Sequence, residues 1–266
     1  MLARKCRLVI KQRFKGVILD NDPKALQALK MRTTVAKIER PKSLNQLVVD
    51  QIRQSIISGI YGLGEPLSES RIAADLGTGK GPVRRAIVQL QTEGVVRVVP
   101  QSGTFVFTMG ADEIEKLNES RLILEEAALK LAVSKNRERL AKRLAEVYDA
   151  MARAKKKGDV RAYLALDVEF HAAMFAHCDN NYLADAYGLV ATKSAALRTH
   201  LLSFKPTHTD LSFDEHGIIS KAVLDGNVKL AVKTLRAHVD RGTNAYNQSV
   251  RDIAAFDRVN DEASVQ

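Results

Sequence analysis

GTGKGPVRRA, residues 77–86, sets three glycines, one lysine and two arginines around Pro82. This composition suits phosphate. A nucleotide loop of the Walker type needs G-x-x-x-x-G-K-[ST], because its glycines let backbone amides wrap the phosphates and its hydroxyl holds magnesium. Here Gly81 follows Gly79-Lys80 where Ser or Thr is required, and the leading glycine falls on Ala74. The preceding Arg71 to Leu76 also has a helical pattern, where a Walker loop follows a strand. What remains is a recognition helix laid against a nucleic-acid backbone. Pro82 would open that helix at N1, where its fixed φ helps and its missing N–H costs nothing. Val83, Ala86, Ile87 and Leu90 form its inner face, while Arg84, Arg85 and Lys80, just ahead of the cap, point away.

The flanking residues supply the rest of the fold. Upstream, Leu44, Leu47, Val48, Ile52 and Ile56 mark a helix opened by Ser43 and Gln46 at capping-box spacing and closed near Gly59. A Gly/Pro turn follows, and Ser68 caps a short helix carrying Ile72, Ala73 and Leu76 until Gly77 ends it. Downstream, Val95–Val99, the turn Pro100-Gln101-Ser102-Gly103 and Thr104–Phe107 read as a β-hairpin. Helix, helix, turn, helix and hairpin make a winged helix-turn-helix, whose recognition helix enters the major groove. An ordinary glycine-rich turn with solvated arginines is the alternative, and it leaves the hairpin and the charge distribution unexplained.

That distribution is uneven. The formal charge of the 266 residues is +10. Residues 1–38 carry +8 of it, residues 39–108 carry +2, and the remainder balances. Concentrated positive charge indicates a polyanionic partner, most simply double-stranded DNA, whereas a neutral remainder indicates another task. The basic extension is either a DNA-binding arm or a solvated, disordered tail; a translational start at Met31 is a further alternative. Cys6 and Cys178 are too few for a disulfide framework or a cysteine-based zinc site. The absence of a long apolar run argues against a membrane span or signal peptide, so a cytoplasmic protein is expected.

Residues 111 to about 255 read as successive helices: Glu113–Val133, Arg137–Lys156, Val160–His177, Asn181–Ser203, Asp210–Leu224 and Val228–Ala254. Short polar or glycine breaks join them, as in an antiparallel bundle of about six helices. The chain is therefore expected to be mainly α. Residues 1–38 are assigned to the extension, 39–108 to the winged helix, 109–256 to an all-helical binding and dimerisation domain, and 257–266 to a tail. Asp167 and His171 lie four apart on one helix, so their side chains share a face that one metal ion can bridge. His216 and His238 fall on two later helices at apolar-face positions. Imidazoles at such positions need partners, and ligation supplies them; scattered core or surface histidines are the alternative.

Two resemblances follow from these motifs. Leu67-Ser68-Glu69, Ile72-Ala73, Leu76-Gly77, Pro82-Val83-Arg84, Ala86, Leu90, Glu93-Gly94 and Gly103-Thr104-Phe105-Val106 resemble the DNA-binding domain of GntR-family bacterial transcription regulators. The resemblance implies that Arg84 grips the DNA backbone and groove, that Lys80 replaces a guanine-reading arginine, and that Gly103 lets the wing tip approach the minor groove. Ser70, Gly81, Arg85 and Ser102 belong to the same surface. Gly79 and Gly81 stand where the family usually has hydrogen-bonding residues, and Ser70 where well-studied members have a base-reading arginine. Direct readout is then thinner, since each missing bidentate pair removes about 1–3 kcal/mol of discrimination.

Residues 113–245 resemble the FCD domain of the FadR subgroup through Arg121-x-x-Leu124-Glu125, Asp167-x-x-Phe170-His171, His216 and His238, with a helix count closer to the VanR branch. The resemblance implies that Asp167, His171, His216 and His238 hold a divalent metal and that a carboxylate effector completes its coordination. Three neutral nitrogens and one anionic oxygen suit Zn foremost, with Ni or Mn as alternatives. Arg121 and Arg198 are candidates to pair with the effector, a solvated helix-face arginine being the alternative for Arg198. The function implied is a homodimeric repressor on a palindromic operator, relieved by a small organic acid. A metal-dependent hydrolase or lyase is the second reading, since such a site could activate water; Glu169 and Asp214 are the nearby carboxylates, and neither is well placed as a base.

If residues 1–30 neutralise phosphates, their removal flattens the dependence of log K on log salt by about 0.9 for each phosphate they had neutralised. An unchanged slope in salt titrations of duplex binding contradicts that role.

Overall fold

The computed structural model describes the backbone of residues 42–204 and 208–263, and side chains of 42–200 and 209–248. Expectations for the N-terminal extension and for the last three residues lie outside the described residues.

The winged helix forms from α1 (Leu44–Ile57), β1 (Pro66–Leu67), α2 (Glu69–Asp75), α3 (Lys80–Thr92), β2 (Val96–Val99) and β3 (Gly103–Val106). Ser43 caps α1 by accepting from the Gln46 amide, but the Gln46 side chain turns to Asp50 at 2.9 Å, so only half of the expected box forms. Ser68 caps α2 through the Arg71 amide. Gly59 and Gly77, both with positive φ, end these two helices. The first turn of α3 differs from expectation. Gly79 is its N-cap and Lys80 its first residue, which places Pro82 third. Proline is tolerated there because the first four helical amides lack intrahelical partners.

The sheet has the order β1-β3-β2, all antiparallel, with Val96 opposite Val106 and Val99 opposite Gly103. Strand β1 was not expected. It is two residues long, begins at a proline on the sheet edge, and pairs Pro66 with Phe105 and Leu67 with Thr104. Val49, Ile52 and Ile56 of α1, Ile72 of α2, Val83, Ala86, Ile87 and Leu90 of α3, and Val106 of β3 fill the core between them.

The bundle consists of α4 (Ala111–Lys156), α5 (Val160–His177), α6 (Asn181–Phe204), α7 (His208–Leu224) and α8 (Val228–Ala263). The first two expected helices run together as α4, broken at Asn136, where φ is −141° and ψ is 36°. Asn136 also donates from Nδ2 to the His177 carbonyl at 2.9 Å, tying this kink to the end of α5. Helix α8 extends past the expected end at 254, because no glycine or proline interrupts residues 255–263. Leu129, Leu140, Leu144 and Met151 of α4 pack with Phe170, Met174, Ile219 and Leu235 in the bundle core.

The two halves meet along α6. Ala196 of α6 belongs to the winged-helix core, and Thr199 Oγ1 donates to the Ile57 carbonyl at 2.6 Å, at the C-terminus of α1. Gly94, which turns the chain from α3 into the wing at φ 68°, faces Lys193 of the same helix α6. An alanine in that left-handed conformation costs about 1–2 kcal/mol. Gly94→Ala is therefore expected to lower the urea midpoint by that equivalent, and an unaltered midpoint contradicts the turn geometry.

Candidate functional site

The buried face of α5 is set by Tyr163, Phe170 and Met174, which pack inward and carry Asp167 and His171 with them. His216 is on α7 and His238 on α8. One ligating atom from each of the four lies within 4.8 Å of the others, and all four residues are buried. The imidazole centroids stand 4.7 Å apart for His216 and His238, 5.2 Å for His171 and His238, and 5.5 Å for His171 and His216. Scattered histidines are thereby excluded for these three.

Carboxylates behind two of the rings orient them. Glu125 Oε2 lies 2.9 Å from His171 Nδ1, and Glu215 Oε2 lies 2.8 Å from His238 Nδ1. A carboxylate accepting from Nδ1–H fixes the tautomer whose Nε2 carries the lone pair, the arrangement common behind metal-bound histidines. Arg121 Nη2 stands 3.1 Å from His171 Nε2. His216 has both ring nitrogens buried without a hydrogen-bond partner, Nε2 being 3.4 Å from Asp167 Oδ1. Buried polar atoms are rarely left so. Ligation of a cation by His216 Nε2 and the Asp167 carboxylate satisfies that nitrogen, and the residues fit a divalent metal on that ground.

Charges balance around the cluster. Burial opposes the ionisation of Asp167, but Arg198 first and then the imidazoles outweigh it and hold the carboxyl well below its usual range. Arg198 Nη1 lies 2.9 Å from Asp167 Oδ2, at ion-pair distance although not aligned as a hydrogen bond. Burial likewise opposes the charge on Glu125, while Arg121 and His171 hold its carboxyl well below the usual range. Glu125 accepts from Arg121 Nε at 2.7 Å and Tyr187 Oη at 3.0 Å as well. Glu215, despite burial, is held at about 2 by His238 and Arg241. Burial drives His171 down to about 4 against the pull of Glu125, and burial with His238 drives His216 well below its ordinary value. These two imidazoles are neutral at pH 7, the state that ligates.

A cavity of about 50 Å³ opens beside Asp167 and His238, walled by Arg121, Arg198, Arg241 and the hydroxyl-bearing Tyr163, Ser212 and Tyr246. Both arginines singled out in the sequence thus reach the site. Arg198 is 12% exposed, which removes the solvated alternative. Arg121 is fully enclosed and its Nε is committed to Glu125. Arg241, Glu215 and Tyr187 were missed. Arg241 and Glu215 pair across α7 and α8, and nothing in their sequence spacing announces it. A wider cleft of about 410 Å³ lies between α1 and α5, lined by Gln54, Ile57, Arg161 and Leu164. Its walls lack the convergent charges of the smaller one, so size does not mark the chemistry here.

At the other end, Lys80, Gly81, Arg84 and Arg85 are exposed on α3, Ser70 on α2, and Ser102 and Gly103 at the wing turn. Gly79 gives α3 no side-chain cap, so its first-turn amides are open to a phosphate oxygen. Glu169 is paired with Arg143 at 2.6 Å on the exposed face of α5, and Asp214 is exposed. No helix among the described residues is long and apolar enough to cross a membrane.

Comparison with known proteins matches residues 44–106 to "Bacterial regulatory proteins, gntR family" and residues 116–241 to the FCD domain. The chain belongs to the GntR regulators that carry an FCD domain. It is 25% identical over 197 residues to the gluconate operon transcriptional repressor of Bacillus subtilis, covering 73% of this chain and 81% of that one. It is 29% identical over 208 residues to a probable D-xylose utilization operon transcriptional repressor of Paenarthrobacter nicotinovorans, covering 78% and 87%. Among solved structures, E. coli McbR/YncC shares the fold with a TM-score of 0.72 at 19% identity, covering 79% of this chain and 99% of that one. A GntR regulator from Rhodococcus sp. RHA1 gives 0.66 at 22%, covering 77% and 98%. The chain is accordingly a DNA-binding transcriptional regulator with a ligand-binding FCD domain, and its family and relatives are regulators, not enzymes.

The buried neutral imidazoles have a measurable consequence. In the unfolded chain histidine protonates near 6.5, whereas folded His171 does so only at about 4. As pH falls from 7 the unfolded state takes up protons first, so stability declines between those values. The lowered Asp167 and Glu125 carboxyls add their own losses only at more acid pH. Thermal melts of metal-free protein are expected to show Tm falling from pH 7 to pH 5. A flat profile contradicts the neutral cluster.

Proposed function

We propose that this protein is a metal-containing repressor whose FCD domain senses a small organic acid and whose homodimer binds a palindromic operator in the cytoplasm. The observation that carries the sensing half is the convergence of Asp167, His171, His216 and His238 within 4.8 Å in the bundle core. Those four would hold the cation, Zn foremost and Ni or Mn as alternatives, since nitrogen-rich sites prefer these to Ca or Mg. When bound there, a cation would supply Lewis-acidic charge for a carboxylate effector. Arg198 and Arg241 offer forks for the effector's remaining anionic oxygens, with Arg121 beside them. The hydroxyls of Tyr163, Ser212 and Tyr246 suit an acid bearing hydroxyl groups, in keeping with relatives named for gluconate and D-xylose operons.

Transmission rests on α6. The cavity of about 50 Å³ is far smaller than the roughly 300–1,000 Å³ of ordinary small-molecule pockets. A larger acid therefore enters by moving a wall, and Arg198 is part of that wall. The next residue, Thr199, is bonded to the end of α1. A shift of α6 then reorients the recognition helices, turning differential ligand affinity into differential DNA affinity. On the DNA side, Arg85 and the α3 amides hold phosphates, Arg84 grips backbone and groove, Lys80 reads a base edge with the short Ser70 beside it, and Ser102 and Gly103 carry the wing to the minor groove.

His216→Ala is expected to lower metal affinity by two orders of magnitude or more, abolish the effector response, and leave metal-free operator binding within about threefold. Metal analysis with gel-shift titration checks this, and full occupancy with normal release by organic acids refutes the site. Thr199→Val is expected to keep metal affinity while shrinking the effector-induced change in operator affinity.

A further inference from the structure

Arg84 is exposed on the recognition helix, with 70% of its side chain accessible, yet it is not loose. Its Nε lies 3.1 Å and 3.3 Å from the two carboxylate oxygens of Glu69, and its Nη2 lies 2.9 Å from Oε2. Glu69 is the first residue of α2, 29% exposed, so the pair ties the start of one helix to the second turn of the next. An acidic side chain on a surface that receives DNA repels phosphate and lowers affinity for every sequence. An exposed ion pair of this kind adds little stability, about 0–1 kcal/mol at most by general experience. A negative charge in the first turn of α2 also suits the helix dipole, but that needs no partner and does not account for the grip on Arg84.

We propose that Glu69 is a positioning residue for sequence-specific DNA recognition, fixing the Arg84 guanidinium so that its outer fork meets one operator feature in a single orientation. A guanidinium has five N–H donors. The side-on contact occupies the Nε–Nη2 edge and leaves the Nη1–Nη2 end intact, the geometry that engages two acceptors at once, as guanine O6 and N7 require. A free arginine side chain samples many rotamers and gives up that freedom on binding. Holding one edge on Glu69 removes part of this cost before DNA arrives, for the geometry in which the fork and the acceptors match. Sequences that place their acceptors elsewhere gain nothing and still meet the carboxylate's repulsion, so the acidic residue lowers general affinity and raises discrimination. This matters more here than in a chain with a full set of reading side chains, because Gly79 and Gly81 offer none and Ser70 is short.

The inference rests on the DNA-facing role assigned to Arg84. Its test compares wild type, Glu69→Gln and Glu69→Ala on an operator recovered by selection from a randomised duplex library, and on unrelated duplex, across salt. Failure of the wild type to select any sequence would count against the regulator's DNA-binding surface as a whole, and this proposal would fall with it. For the variants, affinity for unrelated DNA is expected to rise a few-fold while the specific-to-nonspecific ratio falls about tenfold, the scale of one bidentate contact. In an Arg84→Ala background, Glu69→Gln should leave the ratio unchanged. A uniform rise on both duplexes with the ratio preserved would mean that Glu69 acts as bulk charge and would overturn the proposal while leaving the DNA-binding surface intact. A uniform loss accompanied by a lower Tm would mean that it serves only to hold α2, and overturns it equally.

Discussion

Keeping charge inside a helical bundle is the constraint on which this structure turns. Asp167 and Glu125 are both buried, and a carboxylate in that position is tolerated only with a compensating cation and aligned donors. Arg198 answers Asp167, and Arg121 answers Glu125 with Tyr187 beside it. The imidazoles between them, with His171 and His216 driven toward the neutral form by burial, form a nest of nitrogen donors that would otherwise be a costly way to fill a core. The ordinary packing of Phe170, Met174, Ile219 and Leu235 surrounds this polar centre and fixes the helices that carry it.

The same helix that supplies Arg198 also supplies Ala196 to the winged-helix core and Thr199 to the end of α1. A single turn of α6 therefore faces both tasks of the molecule. A regulator needs such a shared element, because a ligand changes DNA affinity only through a part whose position both sites feel. Under the proposed function that part is α6, with side chains committed in both directions.

Much of this was legible in the sequence. The failed Walker spacing, Ser43, Ser68, Gly77 and the Gly103 hairpin led to the winged helix, and the i,i+4 pair Asp167–His171 with His216 and His238 led to the buried cluster. Local signals sufficed because caps, turns and apolar stripes act within a few residues. Pro82 was placed two residues too early in its helix, since proline fits anywhere in an uncapped first turn. Strand β1 escaped because two residues carry no alternation, and it exists through its partner β3. Glu215 and Arg241 escaped for a similar reason: their roles arise where α7 meets α8, and each alone resembles a solvated charge. Glu125 entered only as part of the motif that begins at Arg121, and its grip on His171 depends on how α4 packs against α5.

X-ray absorption at the metal edge of the protein as isolated addresses the central claim directly. The account predicts a single bound transition metal with nitrogen and oxygen neighbours at about 2.0–2.1 Å, as for zinc, and the scattering signature of three imidazoles. A shell of oxygens without imidazole, or no stoichiometric metal after growth in metal-replete medium, would contradict it.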